Sequence, residues 1–283
     1  MSDKLRFRTT EVSVNDYKFK MHSITAPWGE DDPILRQIRS GDFDEHRTLA
    51  VWLYLVETAT PNCIVLDVGA FAGLFSLLAT KSRPDIMAVA FEPSSITYGR
   101  LTYNIQLNEL LTRIIPAHLA AWSNDEVIRL PHQYGIFTLC PGESAMSHDV
   151  DHTESVLAVA LDGLLKPESL DFVNSRTMTF NADRPIAAIK IDVEGVELNV
   201  LQGATALIAK HQPCFICEAL TEPDERKLTG FFADAGYHVV QILGERNLFA
   251  MPLSRREEIL DGFESWCREN GDVARISGRL ESA

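Results

Sequence analysis

Positive charge is what this 283-residue chain most lacks: 26 Lys and Arg stand against 40 Asp and Glu, for a formal net charge of −14 at pH 7. A chain so acidic repels phosphate backbones unless a local basic patch overrides the field. No such patch is visible, because Arg255-Arg256 runs directly into Glu257-Glu258, the pattern of a solvated helix face. Nucleic acid is therefore not an expected partner. Long hydrophobic runs are also missing, with nothing near the ~20 apolar residues of a membrane span. Met1 to Thr10 is charged and has no apolar signal core, so the expectation is a cytoplasmic chain without a membrane partner. Cysteine is scarce, five residues scattered along the chain, which fits reduced thiols better than a disulfide framework. Cys214-Phe215-Ile216-Cys217 has redox-motif spacing, but as a strand it would point its two sulfurs to opposite faces. Both therefore read as structural.

Glycine is missing from two telling places. Val65-Leu66-Asp67-Val68-Gly69-Ala70-Phe71-Ala72-Gly73-Leu74-Phe75-Ser76 reads as an apolar strand, a small-residue turn and a helix. A pyrophosphate-binding turn would want further glycines at Phe71 and Leu74, which argues against a nicotinamide dinucleotide. Asp67 adds negative charge where a dinucleotide brings its own, whereas S-adenosylmethionine brings a sulfonium and an ammonium. Downstream, Ile86 to Phe91 is a second apolar run, ending at Glu92-Pro93. An acid about 20 residues beyond the glycine turn sits at the carboxyl end of the second strand and can accept both ribose hydroxyls. Glu92 fits that role.

Apolar residues make up 46% of the chain, enough at this length for a sizeable core. Glu11 to Ile24 alternates polar and apolar residues around Asn15-Asp16, which predicts a hairpin within an amino-terminal extension over 1–42. Helical spacing over Phe43 to Ala59 opens the main domain, 43–253. Its expected strands are Cys63 to Val68, Ile86 to Phe91, Arg113 to Ala117, Ala187 to Val193, Cys214 to Ala219, His238 to Leu243 and Leu248 to Met251. Helices fall between them, such as Ser95 to Leu107 and Glu197 to Lys210. Alternation of this kind predicts an α/β fold with a mostly parallel sheet covered by helices on both faces. Gly244-Glu245-Arg246-Asn247 is too short for a crossover helix, so the last two strands should form an antiparallel edge hairpin. A stretch rich in Gly, Ser, His and Asp, 135–161, reads as a lid or acceptor-recognition loop. Residues 254–283 read as a charged, partly helical tail.

Several blocks together resemble the FkbM family of S-adenosylmethionine-dependent methyltransferases: Leu66 to Ser76, Ala90-Phe91-Glu92-Pro93 with Leu101 to Asn108, and Ala160 to Leu165. The most specific is Ile189-Lys190-Ile191-Asp192-Val193-Glu194-Gly195-Val196-Glu197, followed by Leu201-Gln202-Gly203-Ala204. The resemblance runs from about Cys63 to Met251. It implies a Rossmann-like class I methyltransferase fold with a seven-stranded sheet. It also implies S-adenosyl-L-methionine as cofactor and methyl transfer, most often to a hydroxyl of a sugar, polyketide or other secondary metabolite. Asp67, Gly69, Ala70, Phe71, Gly73, Phe75, Glu92, Pro93, Ala120, Ala121 and Asp192 are the expected cofactor contacts. Two residues depart from the family pattern: Phe71 stands where Asn is common, and Gly163 replaces a second acid after Asp162, which argues against a metal site in that segment.

Lys190 and Asp192 share a strand face by the period of two. Asp192 falls at the strand's carboxyl end, where open α/β sheets place their ligands. It is the catalytic candidate, to orient a hydroxyl, act as base or hold a metal. Glu194 and Glu197 suit the first turn of a helix by the helix dipole, Glu194 equally suits the site, and Glu218 is a secondary candidate at the next strand end. His148-Asp149-Val150-Asp151-His152 has metal-ligand types, but contiguous in a loop and without partner spacing;. The rival functions are a nicotinamide-dependent oxidoreductase and a non-catalytic nucleotide-binding protein, since fold alone does not establish activity. Oligomeric state is not legible.

Overall fold

In the computed structural model, residues 6–26, 29–30, 32–133, 137–138, 152–165 and 183–280 are described. From the amino end, β1 (Arg6–Val14) and β2 (Tyr17–Ala26) pair antiparallel. Their two-residue turn is Asn15-Asp16, with Asn15 at φ 50, a conformation that short polar side chains tolerate. Short β3 (Gly29–Glu30) adds to β2. Helices α1 (Pro33–Ser40) and α2 (His46–Glu57) lead into the central sheet.

That sheet starts with β4 (Ile64–Val68), α3 (Leu74–Ser82), β5 (Met87–Phe91), α4 (Ser95–Leu107) and β6 (Ile114–Ala117). A second layer of strands follows: β7 (Ala120–Trp122), β8 (Glu126–Gln133), β9 (Phe137–Thr138) and β10 (His152–Ala160), in the order β7-β10-β8-β9. The chain re-enters the central sheet at β11 (Ile186–Ile191). It continues through α5 (Glu197–Gln202), α6 (Thr205–His211), β12 (Cys214–Glu218), α7 (Glu222–Asp234), β13 (Tyr237–Gln241) and β14 (Asn247–Pro252). Strand order is β13-β14-β12-β11-β4-β5-β6. β4, β5, β6, β11 and β12 run parallel, and β14 runs antiparallel to both its neighbours. This is the expected seven-stranded Rossmann-like sheet with a reversed strand in its edge hairpin.

Both faces of the sheet are buried, so its strands read as unbroken apolar runs. One core packs Val65, Ala88, Ala188, Cys214 and Ile216 against α1 to α4 and the hairpin. The other packs Leu66, Val89, Ile189, Phe215 and Cys217 against α5, α6 and α7. Cys214 and Cys217 thus lie on opposite faces, both buried and free, as a strand requires.

Three features differ from the expected layout. The 135–161 stretch is not simply a loop: Thr153 to Ala160 lies within β10, where Val156 and Ala158 are buried and Leu157 is more exposed. The long helix expected from Glu197 breaks at Gly203, where a Cβ would lie 1.9 Å from the Trp122 carbonyl oxygen. At the far end, α8 (Arg256–Asn270) packs on α2, with the Tyr54 hydroxyl donating to the Ile259 carbonyl at 2.8 Å. β15 (Ile276–Leu280) then pairs antiparallel with β1, so the first and last described strands share one sheet.

The hairpin is tied down by side chains of α4. Asn104 Oδ1 accepts the His22 amide at 2.8 Å, and Asn108 both accepts the Lys20 amide and donates to its carbonyl. These amides satisfy strand-edge groups that would otherwise be left without partners. They fix β2 where its Met21 faces the carboxyl edge of the central sheet. No helix among the described residues is long and apolar enough to cross a membrane.

Candidate functional site

At the carboxyl edge of the parallel strands, the turns after β4, β5 and β11 wall a cleft of about 1240 Å³, open mouth included. Leu119 to Trp122 form one side, Ile128 and Leu130 of β8 extend it, and Met21, Pro33 and Ile34 close over it from the amino-terminal elements. Pro33 and Ile34, at the start of α1, are held in place by Asp32. Its carboxylate caps α1 through the Leu35 amide at 2.9 Å and lies 3.5 Å from Arg100 of α4, with both side chains almost fully buried.

The β4–α3 turn is shaped by close approach. Gly69 has φ 80, and a Cβ on it would sit 1.8 Å from the Asp192 carbonyl oxygen, so only glycine fits. The Gly69 and Ala70 amides both donate to the Phe91 carbonyl, at 3.0 and 2.9 Å. Phe71 is also left-handed, φ 48, a conformation that a bulky residue adopts only when its surroundings impose it. Here they do: its amide donates to Glu92 Oε2 at 3.0 Å, and the Arg100 guanidinium lies 5.6 Å from its ring centroid.

Glu92 is buried at the end of β5. Oε2 takes the Phe71 amide, and Oε1 takes the Ser94 amide at 2.9 Å. Each oxygen keeps further lone pairs for a ligand hydroxyl. Burial pushes this carboxyl up to about 8, while the two amide bonds pull it down;.

The opposite wall carries a charged cluster. Lys190 Nζ lies 2.6 Å from Asp192 Oδ2 and 4.4 Å from the centre of the Phe75 ring. Burial works against the Lys190 ammonium, but Asp192, Glu45 and Asp67 outweigh it and hold its pKa above the ordinary lysine value. Burial likewise disfavours the Asp192 carboxylate, and Lys190 overcomes this to keep it below the usual range. Glu218 is pushed up to about 9 by burial and then by the charge of Asp192. Burial and the Asp192 charge also raise Glu194, which lines the cleft at φ 60. Glu45, just before α2, is raised by burial and held by the Asn247 side-chain amide at 2.8 Å.

Of the expected site residues, Gly69, Ala70, Phe71, Phe75, Glu92, Pro93, Ala120, Ala121 and Asp192 all border the cleft. Asp67 and Gly73 do not. Asp67 Oδ2 accepts the amide and hydroxyl of Ser76, at 3.0 and 2.7 Å, and the side chain is buried beneath α3. The charge read from the sequence as meeting a ligand instead caps a helix and faces Lys190 across the ladder;. Gly73 is the left-handed start of α3, where a Cβ would meet Leu101 at 2.7 Å, so it serves helix packing. Glu197 organises the β11–α5 turn by accepting the Gly195 and Val193 amides.

Asp162 is a cap. Its carboxylate accepts the Ala206 amide at 3.0 Å and the Leu207 amide at 2.8 Å, both in the first turn of α6. Asp162→Ala should therefore lower stability by about 1 kcal/mol, as loss of a helix cap does, and urea denaturation measures it. A change above about 3 kcal/mol would assign it more than a cap. Among the described residues no group of acids, histidines and cysteines is arranged to hold a metal ion, and 148–151 lie outside those residues. Sequence reasoning missed Glu45, Met21, Pro33 and Ile34 as cleft residues; nothing local marks them, since only the tertiary fold brings them there.

Residues 67–248, more than half of the chain, match the model of the methyltransferase FkbM domain. Methyltransferase sdnD of Sordaria araneosa is 30% identical over 169 residues, 53% of this chain and 63% of that protein. The 31-O-demethyl-FK506 methyltransferase FkbM of Streptomyces tacrolimicus is 29% identical over 160 residues, 50% of this chain and 60% of that protein. The matches thus span less than two thirds of these relatives. A crystal structure of methyltransferase FkbM from Methylobacillus flagellatus KT aligns with TM-score 0.46 and 18% identity, covering 67% of this chain and 43% of that one. With the match to its model running from Asp67 at the end of β4 to Leu248 in β14, this chain belongs to the FkbM methyltransferase family.

Proposed function

We propose that the chain binds S-adenosyl-L-methionine in this cleft and methylates a hydroxyl of a small molecule. The observation that carries the reading is Glu92: a buried carboxyl group whose two oxygens are each aligned by one backbone amide and bordered by a cleft. Such an acid matches the paired hydroxyls of a ribose. The rest of the cleft fits the remainder of that cofactor. Small residues, Ala120 and Ala121, leave room for a flat ring, and the acids Asp192, Glu194 and Glu45 suit an ammonium and a sulfonium.

When bound, S-adenosylmethionine supplies an electrophilic methyl group. The chain has to align an acceptor with it and manage the acceptor's proton. Asp192 manages that proton: ionised beside Lys190 at the cleft wall, it accepts the hydrogen bond of an acceptor hydroxyl and takes its proton. Met21, Pro33 and Ile34 cover the cleft with apolar surface and keep water from competing. Oxygen as the methylated atom is supported by the Streptomyces relative, whose name gives 31-O-demethyl-FK506 as its substrate. A net charge of −14 favours a small molecule over nucleic acid. Free thiols at Cys63, Cys214, Cys217 and Cys267 suit a reducing compartment such as the cytoplasm.

A nicotinamide dinucleotide suits the cleft less well. Its pyrophosphate needs the amides at the start of the helix after the first strand, and the Asp67 carboxylate already takes the Ser76 amide there.

Glu92→Ala should weaken S-adenosylhomocysteine binding by about 1–3 kcal/mol, the cost of leaving buried hydrogen-bonding groups without their partner. Equilibrium dialysis of the folded variant gives the number, and unchanged affinity removes Glu92 from the site. The reaction itself is tested by transfer of a labelled methyl from S-adenosylmethionine onto a panel of sugar and polyketide hydroxyls. Labelled ether products support the reading, and label found only on nitrogen or carbon acceptors refutes the oxygen assignment.

A further inference from the structure

Asp192 and Glu218 occupy matching positions on neighbouring parallel strands. The β11–β12 register pairs Lys190 with Ile216 and Ile191 with Cys217, so the next residues along, Asp192 and Glu218, stand side by side at the carboxyl edge. By the period of two they project from the same face as Lys190. Two ionised acids placed so would repel each other across the ladder, unless one keeps its proton. Lys190 decides which one. Its ammonium is bonded to Asp192 at 2.6 Å, which makes Asp192 the ionised member. Glu218, in turn, has one oxygen, Oε2, buried without a hydrogen-bond partner among the described residues. A bare buried oxygen is far more costly on a carboxylate than on a neutral carboxyl.

We propose that Glu218 is a positioning residue: as a neutral carboxylic acid it donates a hydrogen bond to Asp192 and holds that carboxylate, between itself and Lys190, against the cleft. The proposal deepens the methyltransferase reading and rests on it only for what Asp192 does next. The charged and titratable groups around the pair are consistent with a retained proton. Asp192 and Glu194 raise Glu218 while Lys190 lowers it, Arg246 of the β13–β14 turn acts on Glu194, Glu45 before α2 faces Lys190, and Cys217 and Glu197 lie close by. Burial and Asp192 together place Glu218 at about 9, so it stays protonated at neutral pH.

The test is carbon-13 NMR of the full chain labelled at glutamate Cδ and aspartate Cγ. The Glu218 signal is assigned by its loss in Glu218→Gln and the Asp192 signal by its loss in Asp192→Asn. In the wild type the Glu218 signal should titrate near pH 9, and the Asp192 signal should shift with the same midpoint, as a hydrogen-bonded partner must. In Asp192→Asn the Glu218 midpoint should drop to below about 7, because the repelling charge is gone. A wild-type midpoint below about 6 overturns the proposal, as does a midpoint that Asp192→Asn leaves in place. Should Asp192→Asn fail to fold, the two wild-type titrations decide. Calorimetry with S-adenosylhomocysteine on the same wild-type sample separates the two claims: no binding there defeats the methyltransferase reading and leaves the proton-sharing pair to stand or fall by its titration.

Discussion

Asp192→Ala should lose methyl transfer by about 10²- to 10⁴-fold in kcat, the range for removal of a group that handles a proton in the transition state. The same variant should be less stable by about 3–5 kcal/mol, because it strips the closest partner from a buried ammonium. Lys190 is only 3% exposed, and its Nζ sits 2.6 Å from Asp192 Oδ2. Glu45 and Asp67 also act on Lys190, so the protein should still fold. Asp192→Asn separates the two effects. It keeps an oxygen acceptor for the ammonium and so regains part of the stability, yet it cannot take a proton and stays inactive. Binding of S-adenosylhomocysteine should remain within about tenfold in both variants if Asp192 acts chiefly in the chemical step. Urea unfolding and initial rates read the two losses separately, and equal rates in wild type and Asp192→Ala would remove Asp192 from the chemistry.

Gly69→Ala should be severely destabilising. Its Cβ would fall 1.8 Å from the Asp192 carbonyl oxygen and 2.8 Å from the carbonyl carbon, both backbone atoms. The collision forces β4 and β11 apart at the edge where the cleft forms. Left-handed backbone alone costs a non-glycine residue about 1–2 kcal/mol. The forced separation should take the total beyond about 4 kcal/mol, into the range reserved for a few severe mechanisms. Gly41 supplies the control. It has nearly the same φ, 79, at the end of α1, and no atom within 4 Å of where a Cβ would go. Gly41→Ala should therefore show only the conformational cost. Equal losses in the two variants, by thermal or urea unfolding, would mean that close packing against Asp192 contributes nothing.

The strands of the central sheet were legible because both their faces are buried, so Ile64 to Val68 and Met87 to Phe91 appear as unbroken apolar runs. Glu92 was legible for a related reason: a lone acid directly after such a run can only sit at the strand's end. Asp67 shows the limit of this reasoning. The ladder register sets it beside Lys190, but a strand pattern cannot say whether its side chain meets the cleft or the helix above. Here Ser76 claims the carboxylate. β8 and β10 are hard to read because they belong to a small sheet with one exposed side, where Val127 and Leu157 face solvent directly opposite each other. Exposed apolar residues blur the alternation that marks a half-buried strand. Glu45, Met21, Pro33 and Ile34 reach the cleft through the packing of α1, α2 and the hairpin on α4. That packing depends on contacts distant in sequence, such as Asn104 with His22 and Asp32 with Arg100, which no local pattern announces.

The most direct test of the account is isothermal titration of the folded wild-type chain with S-adenosylhomocysteine, with NADH as the comparison. A carboxylate-lined cleft ordered by Glu92 should bind the nucleoside saturably at one site per chain and give no heat with NADH. Saturable binding of NADH, or no heat from S-adenosylhomocysteine, would contradict it.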